Sequence, residues 1–172
     1  DDDPPQVICT TELQVAVSAN GLGFVLPASL DAGTWDNCGL LLLEVSRDGE
    51  NFGSAVQVNC TDVGATLPVT LRATDGVGLE NFCVVDVVVR DFVKPTLNCP
   101  AAVNLNCGAD IQNIQITGQA SATDNCALQS LTFSDASNLN ACGVGTIQRI
   151  WTATDAEGNT KTCLQPITLN TI

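Results

Sequence analysis

The residues of this chain whose types and spacing could do chemistry are nine cysteines and a recurring set of Asp-Asn turns. The cysteines are Cys9, Cys38, Cys60, Cys83, Cys99, Cys107, Cys126, Cys142 and Cys163. No two are spaced C-x-x-C, which argues against a zinc ribbon or a thioredoxin-type motif. The chain has no His. That removes the commonest general base and metal ligand, and with it Ser-His-Asp and Cys-His catalysis. Sulfur is left with two roles here, as a disulfide or as a small buried hydrophobe. Acidic residues number 19 against 6 basic ones, for a net charge of −13 in 172 residues. Such a chain repels nucleic-acid phosphates and anionic membrane surfaces. Paired carboxylates can serve as acid and base, as in glycosidases. Here they fall in turns of a repeated motif, and a duplicated active site in each small copy would be odd. The chain reads as no enzyme.

The elements that must position these residues come in two copies. Residues 73–83 read ATDGVGLENFC and residues 153–163 read ATDAEGNTKTC. Asp36-Asn37-Cys38 matches Asp124-Asn125-Cys126, Cys9 matches Cys99, and Cys60 matches Cys142. The offsets drift between 80 and 90, as loop-length differences between two copies would make them. Two homologous domains are expected, over 1–90 and 91–172. The joint is the acidic, Pro-containing stretch Arg90-Asp91-Phe92-Val93-Lys94-Pro95. The opening Asp1-Asp2-Asp3-Pro4-Pro5 has the same character and reads as a linker. It is no signal peptide, and the longest apolar run, Leu40 to Leu43, is far too short to span a membrane.

Within each copy the apolar period is two. Leu67, Val69, Leu71 and Ala73 form one alternating face; Cys83, Val85, Val87 and Val89 form a second; Ile147, Arg149, Trp151 and Ala153 form a third. Gly, Asn and Asp cluster between the runs, and no long amphipathic helix occurs. The fold class is all-β, as two small β-sandwiches. Trp151 and Trp35 are both expected in cores. Arg149 is expected at the rim of its face, stem packed and head solvated.

The second copy carries Asn98-Cys99-Pro100, Asn106-Cys107-Gly108-Ala109-Asp110, Ala122-Thr123-Asp124-Asn125-Cys126, and Thr146 to Asp155 around Trp151. It closes with Gly158-Asn159 and Thr162-Cys163. The first copy carries Asp36-Asn37-Cys38-Gly39 and Asn59 to Gly64. In these residues each copy resembles the immunoglobulin-like, hyalin-type (HYR) repeats found in tandem in large surface and secreted proteins of Bacteroidetes-type bacteria. The resemblance covers nearly the whole chain. It implies immunoglobulin-like sandwiches stapled by disulfides, outside the cell. Many relatives carry Cys where this chain has Glu157, so one remaining cysteine loses its partner.

The four cysteines of the first copy allow three pairings, the second copy carries five, and spacing alone does not choose. The fold implied by the resemblance sets the first and last strands side by side, which makes Cys9–Cys83 and Cys99–Cys163 its clamps. Each closes a loop worth about 4 kcal/mol in the chain-entropy model. Cys38–Cys60 is then expected, and likeness between the copies carries it to Cys126–Cys142. Cys107 is left as an unpaired, buried thiol. Two alternatives stay open: Cys107–Cys142 with Cys126 free, and an intermolecular disulfide.

In such a sandwich the linker, the turn after the second strand and the last hairpin meet at one end. For the second copy these carry Asp91, Asp124-Asn125, and Asp155 with Asn159. For the first they carry Asp3, Asp36 and Asp75. Ca²⁺ takes carboxylate, amide and carbonyl oxygens, so a Ca²⁺ at the domain junction is the candidate cofactor, second to a purely structural reading. The competing reason for these residues is that turns need Asp and Asn. The functional expectation is an extracellular, cell-surface structural protein, part of a stalk, adhesin or filament. Its partners would be neighbouring immunoglobulin-like domains or identical subunits. The alternative is adhesion through a bound carbohydrate or other surface ligand, for which a chain without Tyr and with two Trp offers little.

Overall fold

The computed structural model describes residues 2–171, except the side chain of Leu41. Asp1 lies outside the described residues. The chain divides into two compact units, Asp1–Phe92 and Val93–Ile172.

The first unit contains β1 (Glu12–Val17), β2 (Leu22–Val25), a helical turn α1 (Pro27–Leu30), β3 (Leu40–Ser46), β4 (Val56–Asn59), β5 (Thr66–Asp75) and β6 (Glu80–Asp91). One sheet has the order β1-β6-β5-β3, and β2 pairs with β4 in a second. First and last strands are neighbours and run parallel, from Glu12↔Asp86 to Val17↔Asp91. The period-two pattern lands as expected. Val69, Leu71 and Ala73 of β5 and Val85, Val87 and Val89 of β6 are buried, as are Val25, Val56 and Val58 of the other sheet. Burying each of the larger of these side chains contributes about 1.5–3 kcal/mol. The repeated Gly has a backbone cause. Gly78 and Gly158 sit at φ 91° and 87°, the left-handed region, in the turns after β5 and its counterpart.

The second unit contains β7 (Thr96–Asn98), β8 (Val103–Asn106), a helical turn α2 (Ile114–Thr117), β9 (Ser121–Thr123), β10 (Leu128–Leu139), β11 (Gly145–Asp155) and β12 (Thr160–Asn170). Its main sheet, β10-β11-β12-β8, repeats the order of the first, with β8 parallel to β12. β7 and β9 form the smaller sheet. One difference matters. In the first unit the chain passes through β4 between β3 and β5. In the second, β10 turns through Asn140–Val144 directly into β11, and the described residues contain no counterpart of the β2–β4 pair. One apolar cluster there gathers Ile147, Ile167 and Leu169, with Val103, Leu105 and Ile111 against it.

Two core expectations are corrected. Trp35 is 54% exposed. It sits in the isolated bridge Gln6↔Trp35 and lines a surface cavity with Asp3, Pro4 and Asp36. Arg149 is fully buried, head included. Trp151 is buried as expected. Among the described residues, no helix is long and apolar enough to cross a membrane.

Candidate functional site

The clamps come first, because they tie the end of each unit where the chain enters to its last strand. Cys9, just before β1, is bonded to Cys83 in β6, with Cα atoms 6.2 Å apart. Cys99, just after β7, is bonded to Cys163 in β12, with Cα atoms 6.0 Å apart. They take 74 and 64 residues of sequence separation into covalent loops.

The second pair expected in each copy does not form. Cys38 and Cys142 are exposed free thiols, and Cys107 is a half-buried free thiol. The cause is strand length. Cys38 stands two residues before Leu40, which pairs with Asp75 at the β5–β6 turn. Cys60 lies at the other end, just before Gly64, whose N–H donates to the Val89 carbonyl at 3.0 Å. From Glu80 to Val89 along β6 is about 30 Å, against the 4.4–6.8 Å between Cα atoms that a disulfide needs. The second unit repeats the mismatch. Cys126 stands two residues before Leu128, opposite Asp155, while Cys142 lies in the turn beside Gly145. Those ends of β11 are about 33 Å apart.

The acidic turns divide differently. In the second unit Asp124 Oδ2 accepts the N–H groups of Cys126 (3.0 Å) and Ala127 (3.2 Å). Asp155 caps the β11–β12 hairpin: its Oδ1 accepts Asn159 N–H and its Oδ2 the Asn159 side-chain amide, both at 2.8 Å. Asn159 therefore orients Asp155. Asn125 follows Asp124 in the same turn, half-buried. Asp124 and Asp155 each present a carboxylate oxygen, within 4.8 Å of one another. Asp91 and Asp155 are 4% and 1% exposed. Asp124 Oδ1 is buried and accepts no hydrogen bond, so one acceptor of the group is left over. Hard oxygens with a spare buried lone pair suit a divalent cation.

The three acids of the first copy form no such group among the described residues. Asp3 and Asp36 line a cavity of about 280 Å³ with Pro4, Gln6, Trp35 and Asn37. Asp75 is fully buried, its Oδ1 accepting from Val77 and Leu79 N–H at 2.9 and 2.8 Å. Asp36 Oδ1 accepts Cys38 N–H at 2.9 Å. In this copy the turn role of Asp describes the geometry.

One constellation went unread in the sequence. The guanidinium of Arg149 bonds Asp135 through Nε (2.7 Å) and Nη2 (2.8 Å), Thr117 Oγ1 through Nη1 (3.1 Å) and the Ile111 carbonyl through Nη2 (2.9 Å). It lies 3.9 Å from the centroid of the Phe133 ring. Beside it Gln165 accepts from the Trp151 indole N–H at 3.1 Å and donates to the carbonyls of Ala101 and Thr117. The Arg149 hydrogen bond holds the Asp135 carboxyl below the usual carboxylate range, against a smaller opposing effect of burial. The signal was there: Asp135 lies directly across the β10–β11 ladder from Arg149. It is readable only once that hairpin's register is known.

No protein-family model matches the chain, and no curated protein matches it. Among solved structures it is similar to protocadherin gamma C5 EC1-3, at 17% identity and TM-score 0.39, over 98% of this chain and 68% of that one. It is similar to the N-terminal four Ig domains of Dscam1 isoform 9.44, at 7% identity and TM-score 0.40, over 97% of this chain and 46% of that one. A third is mouse cadherin-23 EC22-24, at 15% identity and TM-score 0.39, over 98% and 67%. The immunoglobulin-like sandwich assignment stands on the strand order and parallel first-to-last pairing described above.

Proposed function

We propose that the chain is a non-catalytic, extracellular structural module of a surface stalk, adhesin or filament built of tandem immunoglobulin-like domains. The observation that carries this is the pair of clamps. Pulling on a unit's two ends loads the segment entering it and its last strand, and the disulfide joins those two directly. Tension passes through the S–S bond, and residues 10–82 and 100–162 leave the load path. Such bonds persist in oxidising, extracellular compartments. The natural partners are further domains of the same kind or identical subunits.

Force spectroscopy of the intact chain tests this. Oxidised, each unit should extend without releasing its loop. Reduced, the first unit should gain roughly 26 nm of contour length, about 3.5 Å for each residue freed. Release of the full loop in oxidised protein would refute the load-bearing role.

Ca²⁺ at Asp124 and Asp155 belongs to the same proposal. It would use the spare Asp124 oxygen and stiffen that end of the second unit. The expected result is a rise in melting temperature with Ca²⁺ that Asp124→Asn and Asp155→Asn abolish. No shift at millimolar Ca²⁺ would remove the cation and leave the clamps' role intact.

One observation favours the alternative, an adhesive domain for carbohydrate. The exposed Trp35 ring flanks a cavity lined by carboxylates and amides. Apolar stacking with polar groups at the rim is what a sugar ring uses. Glycan binding lost in Trp35→Ala would favour it.

A further inference from the structure

The second unit brings two of its free thiols to one end of its sheet. Leu169 of β12 pairs with Gly145 of β11 on one side and with Leu105 of β8 on the other. Gly145 and Leu105 are therefore two strand spacings apart, about 10 Å. From these positions both chains leave the sheet in the same direction. Cys107 lies two residues beyond Leu105, its N–H donating to the Asn170 carbonyl at 2.8 Å. Cys142 lies three residues before Gly145, in the turn that joins β10 to β11. Asn140 holds that turn: its Oδ1 accepts the N–H groups of Cys142 (2.9 Å) and Val144 (3.0 Å). The Cys142 thiol is exposed and the Cys107 thiol half-buried.

We propose that Cys107 and Cys142 form an intramolecular disulfide under oxidising conditions, across the end of β12. Closing the bond requires the two Cα atoms to come within about 7 Å of each other. The part that moves is a surface turn bounded by Gly143 at φ 73° and Gly145 at φ 150°, backbone that adjusts without a Cβ to displace. The chemistry is thiol–disulfide exchange with a low-molecular-weight disulfide such as oxidised glutathione. The Cys142 thiolate attacks one sulfur of that disulfide, forms a mixed disulfide and expels one glutathione thiolate. The Cys107 thiolate then attacks the Cys142 sulfur and expels the second. Two protein thiols lose two protons and two electrons, and one glutathione disulfide becomes two thiols.

The bond would do mechanical work. β8 is an edge strand held to β12 over four residue pairs, Val103 to Asn106. A link from its end to the β10–β11 hairpin would tie both sides of the sheet at the end where β12 finishes. The first copy meets the same need with packing: Val17, eight residues after Cys9 as Cys107 is after Cys99, is 2% exposed.

The test uses the intact chain, equilibrated in a glutathione redox buffer, blocked with N-ethylmaleimide, digested with pepsin without reduction and mapped by mass spectrometry. The expected result is a monomer in which Cys107 and Cys142 are linked to each other and Cys38 carries the label. In Cys107→Val, which restores the hydrophobe of the first copy, Cys142 should become labelled. Two results would overturn the proposal. One is labelling of both Cys107 and Cys142 in oxidising buffer while Cys9–Cys83 and Cys99–Cys163 stay bonded. The other is recovery of Cys142 linked to a cysteine other than Cys107, including Cys38 of a second copy.

Discussion

Replacing Arg149 with Met keeps most of the buried stem and deletes the head, which is fully buried. The deletion strands three acceptors at once: the Asp135 carboxylate, the Thr117 hydroxyl and the Ile111 carbonyl. Removing one partner of a buried ion pair costs about 3–5 kcal/mol. The Asp135 side chain is 16% exposed, so water reaches part of it and trims that cost. Loss of the cation–π contact with Phe133 adds about 1 kcal/mol. The expected loss is therefore about 3–4 kcal/mol. For a domain of this size each kcal/mol moves the melting temperature by about 4–8 °C, which gives a fall of roughly 12–32 °C. The fall should be confined to the second unit. Scanning calorimetry of the intact chain is the assay, with the first unit's transition as an internal control. Arg149→Lys should recover only part of the loss, because an ammonium cannot present the fork that bonds Asp135 twice. The double variant Arg149→Met with Asp135→Leu should be more stable than Arg149→Met alone, since no charge is left unpaired. A loss below 1 kcal/mol, or an equal shift in the first unit, would refute the reasoning.

Two further outcomes follow from the same geometry. Replacing Cys99 and Cys163 together by Ala should cost the second unit about 4 kcal/mol in chemical denaturation, from the entropy of a loop of 64 residues' separation, and leave the first unit unchanged. Acid should weaken the second unit through Asp135. Its folded pKa is depressed mainly by the Arg149 hydrogen bond, so its contribution is fully present above the unfolded value near 4 and is lost as pH falls through the lower folded value. Denaturation midpoints measured from pH 5 down to pH 2 should fall, and the part due to Asp135 should be absent in Asp135→Asn.

Much of the architecture was legible in the residues alone. Alternation of apolar side chains identified β5, β6 and β11, because a strand with one buried face must repeat every two residues. The recurring Asp, Gly and Cys of residues 73–83 and 153–163 marked the two copies. The Gly recurs because each hairpin turns through a left-handed residue. What failed were the readings that needed distance. Cys38 and Cys60 look like natural partners in a string of letters, yet a twelve-residue β6 holds them at opposite ends of the unit. Arg149 looks like a rim residue because charge is costly to bury. It is buried because the strand beside it places Asp135 directly opposite, and the segment around α2 covers the pair. Trp35 looks like core because it is large and apolar, but its isolated bridge to Gln6 sets it at a surface cavity.

The sequence by itself determined the all-β class, the duplication and the residues that turn the chain, since these depend on local periodicity and local backbone freedom. The tertiary structure alone decided which sulfurs and which carboxylates come together. Those contacts join residues 14 to 74 positions apart, and their distances depend on strand order, strand length and hairpin register.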